Sequence, residues 1–275
     1  MTERDPARSG YSKPFIVCAD DFGMNAAANR AILELAAEGR LSATSCLVDG
    51  PCFEAGALLL KDMSLQKGLH LNFTDDLGQP GLHLPLKTLI RKAYLRRLDA
   101  AQVRSQIVRQ IDRYESTMGA APDYVDGHLH VHQLPQIREA LMAELTQRYA
   151  GKAGFWVRST SMRDQPALPR RLRLKALIIQ QLGAKALVRL ANQNGIKTNA
   201  GFLGVYNFQG GGETYAKLLA SWVQVAKAGD VLMCHPERFH PEDQRIDPQR
   251  NAEFDVLMGD AFTRQLQRHG LALRV

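Results

Sequence analysis

Residues 15–25 read FIVCADDFGMN, an apolar strand that ends in two adjacent carboxylates, Asp20 and Asp21, before a helical pattern begins. Like charges side by side at a strand tip repel each other and lose hydration. They need a positive partner, a held proton or open water. The same handover from strand to helix recurs down the chain. Strand-like runs cover 15–20, 43–49, 67–73, 123–130, 154–160, 200–206, 229–235 and 271–275. Helical periodicity covers 26–38, 52–61, 100–118, 135–149, 167–193, 213–227 and 250–268. Strand then helix, repeated seven or eight times, predicts parallel strands with helical crossovers. In a chain of 275 residues this favours an α/β fold, a distorted (β/α) TIM-like barrel, over an open doubly wound sheet.

Composition narrows the classes. Hydrophobic residues make up 45% and charged residues 23%, which is ordinary for a globular chain. No apolar run is long enough for a transmembrane helix. The start, MTERDPARSGYSKP, carries no signal-peptide pattern. Residues 1–13 read as a flexible lead-in and 14–275 as a single barrel domain. Cys18, Cys46, Cys52 and Cys234 form no CxxC pair and read as reduced thiols, so a cytoplasmic location is expected. The formal net charge of +7 is spread along the chain without interleaved aromatics, which argues against a nucleic-acid partner.

The C-terminal ends of the expected strands carry the chemistry. The first has Asp20 and Asp21. The third has His70, in GLHLNFT. The fourth has Asp126, His128, His130 and His132, in DGHLHVH. The fifth has Arg158, and the seventh has His235, in MCHPE. Parallel strands are normally near-continuous apolar runs, so core packing alone would not select these residues. One carboxylate with two imidazoles makes a metal site with positions left for water and substrate. Alternate residues of a strand share a face, so His128, His130 and His132 are expected to point one way, the first one or two at the ion. Taken singly, the residues have plainer explanations. The aspartate pair suits a helix N-cap, His70 a core histidine, and His235 a turn before Pro236. Their recurrence at matching strand ends favours the site.

ADDFGMN, SATS near residue 43, GLHLNFT followed by Gly78 and Pro80, DGHLHVHQLPQI and MCHPE occur in this order. They resemble the motifs of the YdjC-like carbohydrate deacetylases, the family that includes chitooligosaccharide deacetylases, from about residue 14 to about residue 240. The resemblance implies a distorted β/α barrel with one divalent metal ion. It assigns Asp21, His70 and His128 as ligands and Asp20 as the base. His235 is the candidate acid, with His132 as the alternative. His130, His132, Arg158 and Asn72 are expected at the substrate or behind the ligands. The implied reaction removes the N-acetyl group from an amino sugar or oligosaccharide. Magnesium is often associated with the family, whereas two imidazoles favour zinc, nickel or cobalt.

Two rivals remain. A phosphoesterase on a similar barrel would use more metals and more carboxylates. A non-catalytic sugar-binding barrel would not need the ligands and the base together. Residues 74–98 and 206–213 are expected as long loops that choose the sugar. The basic, amphipathic 167–193 reads as an outer barrel helix, or as a weak contact with an anionic membrane surface. A homodimer is compatible with the sequence.

Overall fold

The computed structural model describes residues 12–241, 243 and 247–273. Most of the expected lead-in, residues 1–11, and residues 274–275 of the last expected strand lie outside them. Lys13 already belongs to a strand.

The strands are β1 (Lys13–Phe22), β2 (Ala43–Cys46), β3 (Gln66–Leu71), β4 (Tyr124–Gly127), β5 (Trp156–Val157), β6 (Lys197–Thr198), β7 (Gly201–Leu203), β8 (Asp230–Cys234) and β9 (Leu271–Leu273). The helices are α1 (Ala26–Ala37), α2 (Phe53–Leu60), α3 (Leu86–Tyr94), α4 (Ala100–Met118), α5 (Ile137–Tyr149), α6 (Arg170–Gln181), α7 (Ala184–Gln193), α8 (Gly211–Val225), α9 (Pro248–Met258) and α10 (Asp260–Arg268). Neighbouring strands run 6-5-4-3-2-1-8-7, and β9 pairs with the start of β1. Every pairing is parallel. Beyond the end of β5, Met162 makes an isolated parallel bridge to Phe202 of β7, drawing the ends of the curled sheet together. The fold is therefore the expected distorted TIM-like barrel.

Strand periodicity divides the core. Phe15, Val17 and Ala19 of β1 join the large cluster beneath the helices. Ile16 and Cys18 join a smaller cluster with Tyr124, Trp156, Phe202 and Val231. Successive strand residues face opposite sides, so the smaller cluster fills the barrel. Burying a large side chain such as Trp222 or Phe254 contributes about 1.5–3 kcal/mol.

Four expectations fail here, each for a local reason. The run 123–130 is not one strand: β4 stops at Gly127, and residues 128–133 form a 3-10 turn in which Leu129 and His130 take positive φ. The loop 74–98 contains α3, whose periodic LKTLIRKAY follows Pro85. The segment 167–193 breaks at Gly183, where φ is +141° and an added Cβ would lie 2.1 Å from the Gln133 carbonyl oxygen. Its first half, α6, is not an outer helix, because Ala176 and Ile179 pack on the cluster inside the barrel. Finally, 250–268 divides into α9 and α10 at Gly259.

Candidate metal centre and active site

Asp20 and Asp21 reach one cavity although adjacent strand residues normally face opposite sides. The register between β1 and β2 shifts between Ala19 and Phe22, and Asp21 takes φ of +71°. This bulge turns the second carboxylate toward the first, a device frequent near active sites. Gly23 follows at φ +100°, packed so closely that a Cβ would meet the Leu47 carbonyl oxygen at 2.8 Å. The helix cap is Asn25, which accepts a hydrogen bond from the Ala28 N–H at 2.7 Å. The aspartates are thus not the cap, and both are buried.

Asp21, His70 and His128 each offer a donor atom, all within 4.8 Å of one another. His70 Nε2 lies 3.5 Å from Asp21 Oδ1, and His128 Nδ1 lies 3.0 Å from the same oxygen. Strand register pairs His70 with Asp126, and the His70 Nδ1 to Asp126 Oδ1 distance is 2.6 Å. With Nδ1 held by a carboxylate, the ring is oriented so that Nε2 points toward Asp21, the arrangement that orients metal-binding histidines. Asp21 Oδ2 is buried without a hydrogen bond, though the Arg250 guanidinium stands 3.1 Å away. The donor set and its carboxylate support fit a divalent cation.

A second trio, Cys18, Asp20 and Asp126, is equally compact. Arg158 already fills it. Its guanidinium donates to both Asp20 oxygens at 2.6 and 2.7 Å, lies 2.6 Å from Asp126 Oδ2, and reaches Cys18 Sγ at 2.9 Å. A positive partner therefore stands behind the first aspartate.

The charges set the titration. Burial alone would raise the Asp20 pKa, but Arg158, His70 and His235 together hold the carboxyl well below its ordinary value. Burial would likewise raise Asp21, and His128, His70 and His235 together reverse it. Burial would lower His70, yet Asp126 and Asp20 push it up to about 10. Against the same desolvation, Asp21 pushes His128 up to about 9. His235 is brought down to about 4, chiefly by burial. Its Nε2 is 3.9 Å from Asp20 Oδ2.

Asp20, Asp21, His70, His128, His130 and His235 all line one cavity of about 570 Å³. Three other expected residues do not. Asn72 is fully buried, accepting from the Thr74 and Asp75 N–H groups and donating to the Asp75 carbonyl. His132 is packed behind the site, with Nε2 2.8 Å from the Arg158 carbonyl oxygen. Arg158 is fully enclosed and spent on its carboxylates. Of the two expected places, at the substrate or behind the ligands, these three side chains stand at the second, outside the cavity lining. Residues 128–133 form a turn rather than a strand, and His128 and His130 line the cavity while His132 does not.

Sequence reasoning missed Arg250, Glu253 and Asp75. Arg250 and Glu253 come from α9, outside any motif, although their i, i+3 spacing from one helix face was readable. Glu253 accepts from the His235 N–H at 2.7 Å and from the Tyr206 hydroxyl. Asp75 follows the GLHLNFT motif directly and stands 3.3 Å from His128 Nε2.

A parallel barrel thus gathers a carboxylate–imidazole cluster at the C-terminal ends of its strands. The YdjC-like protein family model matches residues 14–268, and the chain belongs to that family. Among curated relatives, it is 33% identical over 149 residues to a carbohydrate deacetylase of Mus musculus, covering 49% of this chain and 47% of that protein. It is 33% identical over 143 residues to a chitooligosaccharide deacetylase of Proteus mirabilis, covering 49% and 56%. The matches span about half the length of these relatives. Among solved structures, a candidate cellobiose-phosphate cleavage protein from Enterococcus faecalis aligns over 96% of this chain and 97% of its own, at 19% identity and a TM-score of 0.65. A peptidoglycan N-acetylglucosamine deacetylase aligns over 96% and 87%, at 12% identity and a TM-score of 0.54. These two likenesses speak for the fold.

Proposed function

We propose that the chain is a metal-dependent carbohydrate deacetylase, hydrolysing the N-acetyl group of an amino sugar to a free amine and acetate. One observation carries this reading: donor atoms of Asp21, His70 and His128, from three separate strand ends, converge beside the buried carboxylate of Asp20 in one open cavity. The names of the curated relatives support the substrate class.

Asp21, His70 and His128 would hold one divalent ion, and two imidazoles favour zinc, nickel or cobalt over magnesium. When bound, such an ion supplies an acidified water and polarises the acetamide carbonyl. Asp126 fixes the His70 ring through Nδ1. Arg158 keeps Asp20 ionised and immobile, so that Asp20 accepts the proton of the attacking water. His235, 3.9 Å from Asp20, closes to hydrogen-bond reach in the substrate complex, takes up that proton and passes it to the departing amine. The free thiols of Cys18, Cys46, Cys52 and Cys234 suit a reducing, cytoplasmic setting. Residues 14–275 then act as one domain.

The test is Asp20→Asn in metal-loaded protein. Elemental analysis should still find one divalent ion per chain, while acetate release falls by about 10²–10⁴. Near-full activity in that variant removes Asp20 as base. Two or more tightly held ions per chain would instead favour the phosphoesterase.

A further inference from the structure

Much of the cavity's lining is aliphatic. Leu86 and Ile90 of α3, Leu174 and Ile178 of α6, and Leu129 all line it together with the metal-centre residues. Each helical pair is spaced i, i+4 and so occupies one face. Leu174 is 58% exposed, Ile178 53% and Leu129 47%. Leu172 and Ala176 of α6 are buried in the core. Leu174 and Ile178 of the same helix are left to the cavity. Tyr94 Oη donates to the Gln181 carbonyl at 3.4 Å, joining the far ends of α3 and α6. A groove between two helices results, continuous with the site of His128 and His70.

Sugar hydroxyls laid against these aliphatic side chains would lose water without gaining partners, which is costly. A hydrocarbon on that side would gain what the hydroxyls lose. We infer that the substrate is an amphiphile: an N-acetylated amino sugar whose apolar aglycone lies in the α3–α6 groove while its acetamide faces the metal centre. This rests on the deacetylase reading and narrows its substrate to a glycolipid-like molecule. Arg171 of α6 also lines the cavity, so neutral and phosphate-linked tails are to be compared.

The experiment titrates metal-loaded protein with methyl, butyl and octyl N-acetylglucosaminides below their micelle concentrations. Acetate release is measured on the same series and on the octyl phosphate-linked sugar. Affinity should rise with chain length, by up to about fourfold per buried methylene and at least tenfold from methyl to octyl. The Leu174→Ser/Ile178→Ser double variant should flatten that slope. Should it fail to fold, Leu129→Ser reports on the same groove. Equal affinity for methyl and octyl sugars overturns the inference, as does an equal slope for alkyl maltosides, which would mark simple detergent binding. Flotation with anionic vesicles but no chain-length slope makes the face a membrane contact and overturns it too. A slope without acetate release keeps the groove and sinks the deacetylase reading; acetate release without a slope does the reverse.

Discussion

Glu253 shows how burial and proton balance meet at a single residue. It is fully buried, and desolvation pushes its carboxyl up to about 7 from an ordinary 4.5. The folded chain therefore keeps a proton that the unfolded chain has released. Between pH 4.5 and pH 7 the unfolded state binds fewer protons, so this residue's contribution favours folding less as pH rises, and levels off above 7. Glu253→Gln removes that titration. Relative to wild type, the variant should gain on the order of 3 kcal/mol between pH 4.5 and pH 7.5. Urea midpoints at the two pH values measure it, and a constant difference between the proteins would refute it. At this scale much was legible. Asp20, Asp21, His70 and His128 are each visible at a strand end, and the structure brings them into one cavity. What the sequence hid is conformation. A period of two sends adjacent aspartates to opposite faces, and only the bulge and the positive φ of Asp21 undo that. Positive φ at Leu129 and His130 is likewise invisible in side chains that tolerate it poorly.

At the scale of elements, strand and helix order was readable and boundaries were not. The strands β5, β6 and β7 are two or three residues long, too short for any periodic signal. The helix α3 was hidden by the Gly- and Pro-rich segment before it. The break between α6 and α7 hangs on Gly183, which gives a direct test. Gly183→Ala forces a Cβ against the Gln133 carbonyl at φ +141° and should cost about 2 kcal/mol or more. Gly212→Ala, inside α8 with no neighbour nearer than 3.7 Å to its Cβ, should instead stabilise by about 0.4–1 kcal/mol. Thermal melts of both variants decide it. Similar melting temperatures would mean that the break at Gly183 is not enforced by its backbone.

At the scale of the whole molecule, a divalent ion held by Asp21, His70 and His128 would clip β1, β3 and the turn after β4 together. Ligands that bind only the folded state stabilise it by mass action, about 2.7 kcal/mol at a hundredfold excess over Kd. Adding zinc or cobalt should raise the melting temperature, a chelator should reverse it, and Asp21→Ala should abolish the response. An unchanged response in Asp21→Ala would place the ion elsewhere.

The central strand sets the timetable of assembly. β1 lies between β2, its near neighbour along the chain, and β8, which arrives more than two hundred residues later through pairs such as Ile16 with Val231. Closing so large a loop is slow, and partners distant in sequence meet last. Until they do, the aspartate-bearing tip of β1 is half sheltered, and Arg250 and His235 are absent from its surroundings. The coordinating pocket is then a late product of folding rather than its nucleus. Refolding followed by tryptophan fluorescence should therefore run ahead of the recovery of ion affinity, and simultaneous recovery would show that the far end of the chain docks early.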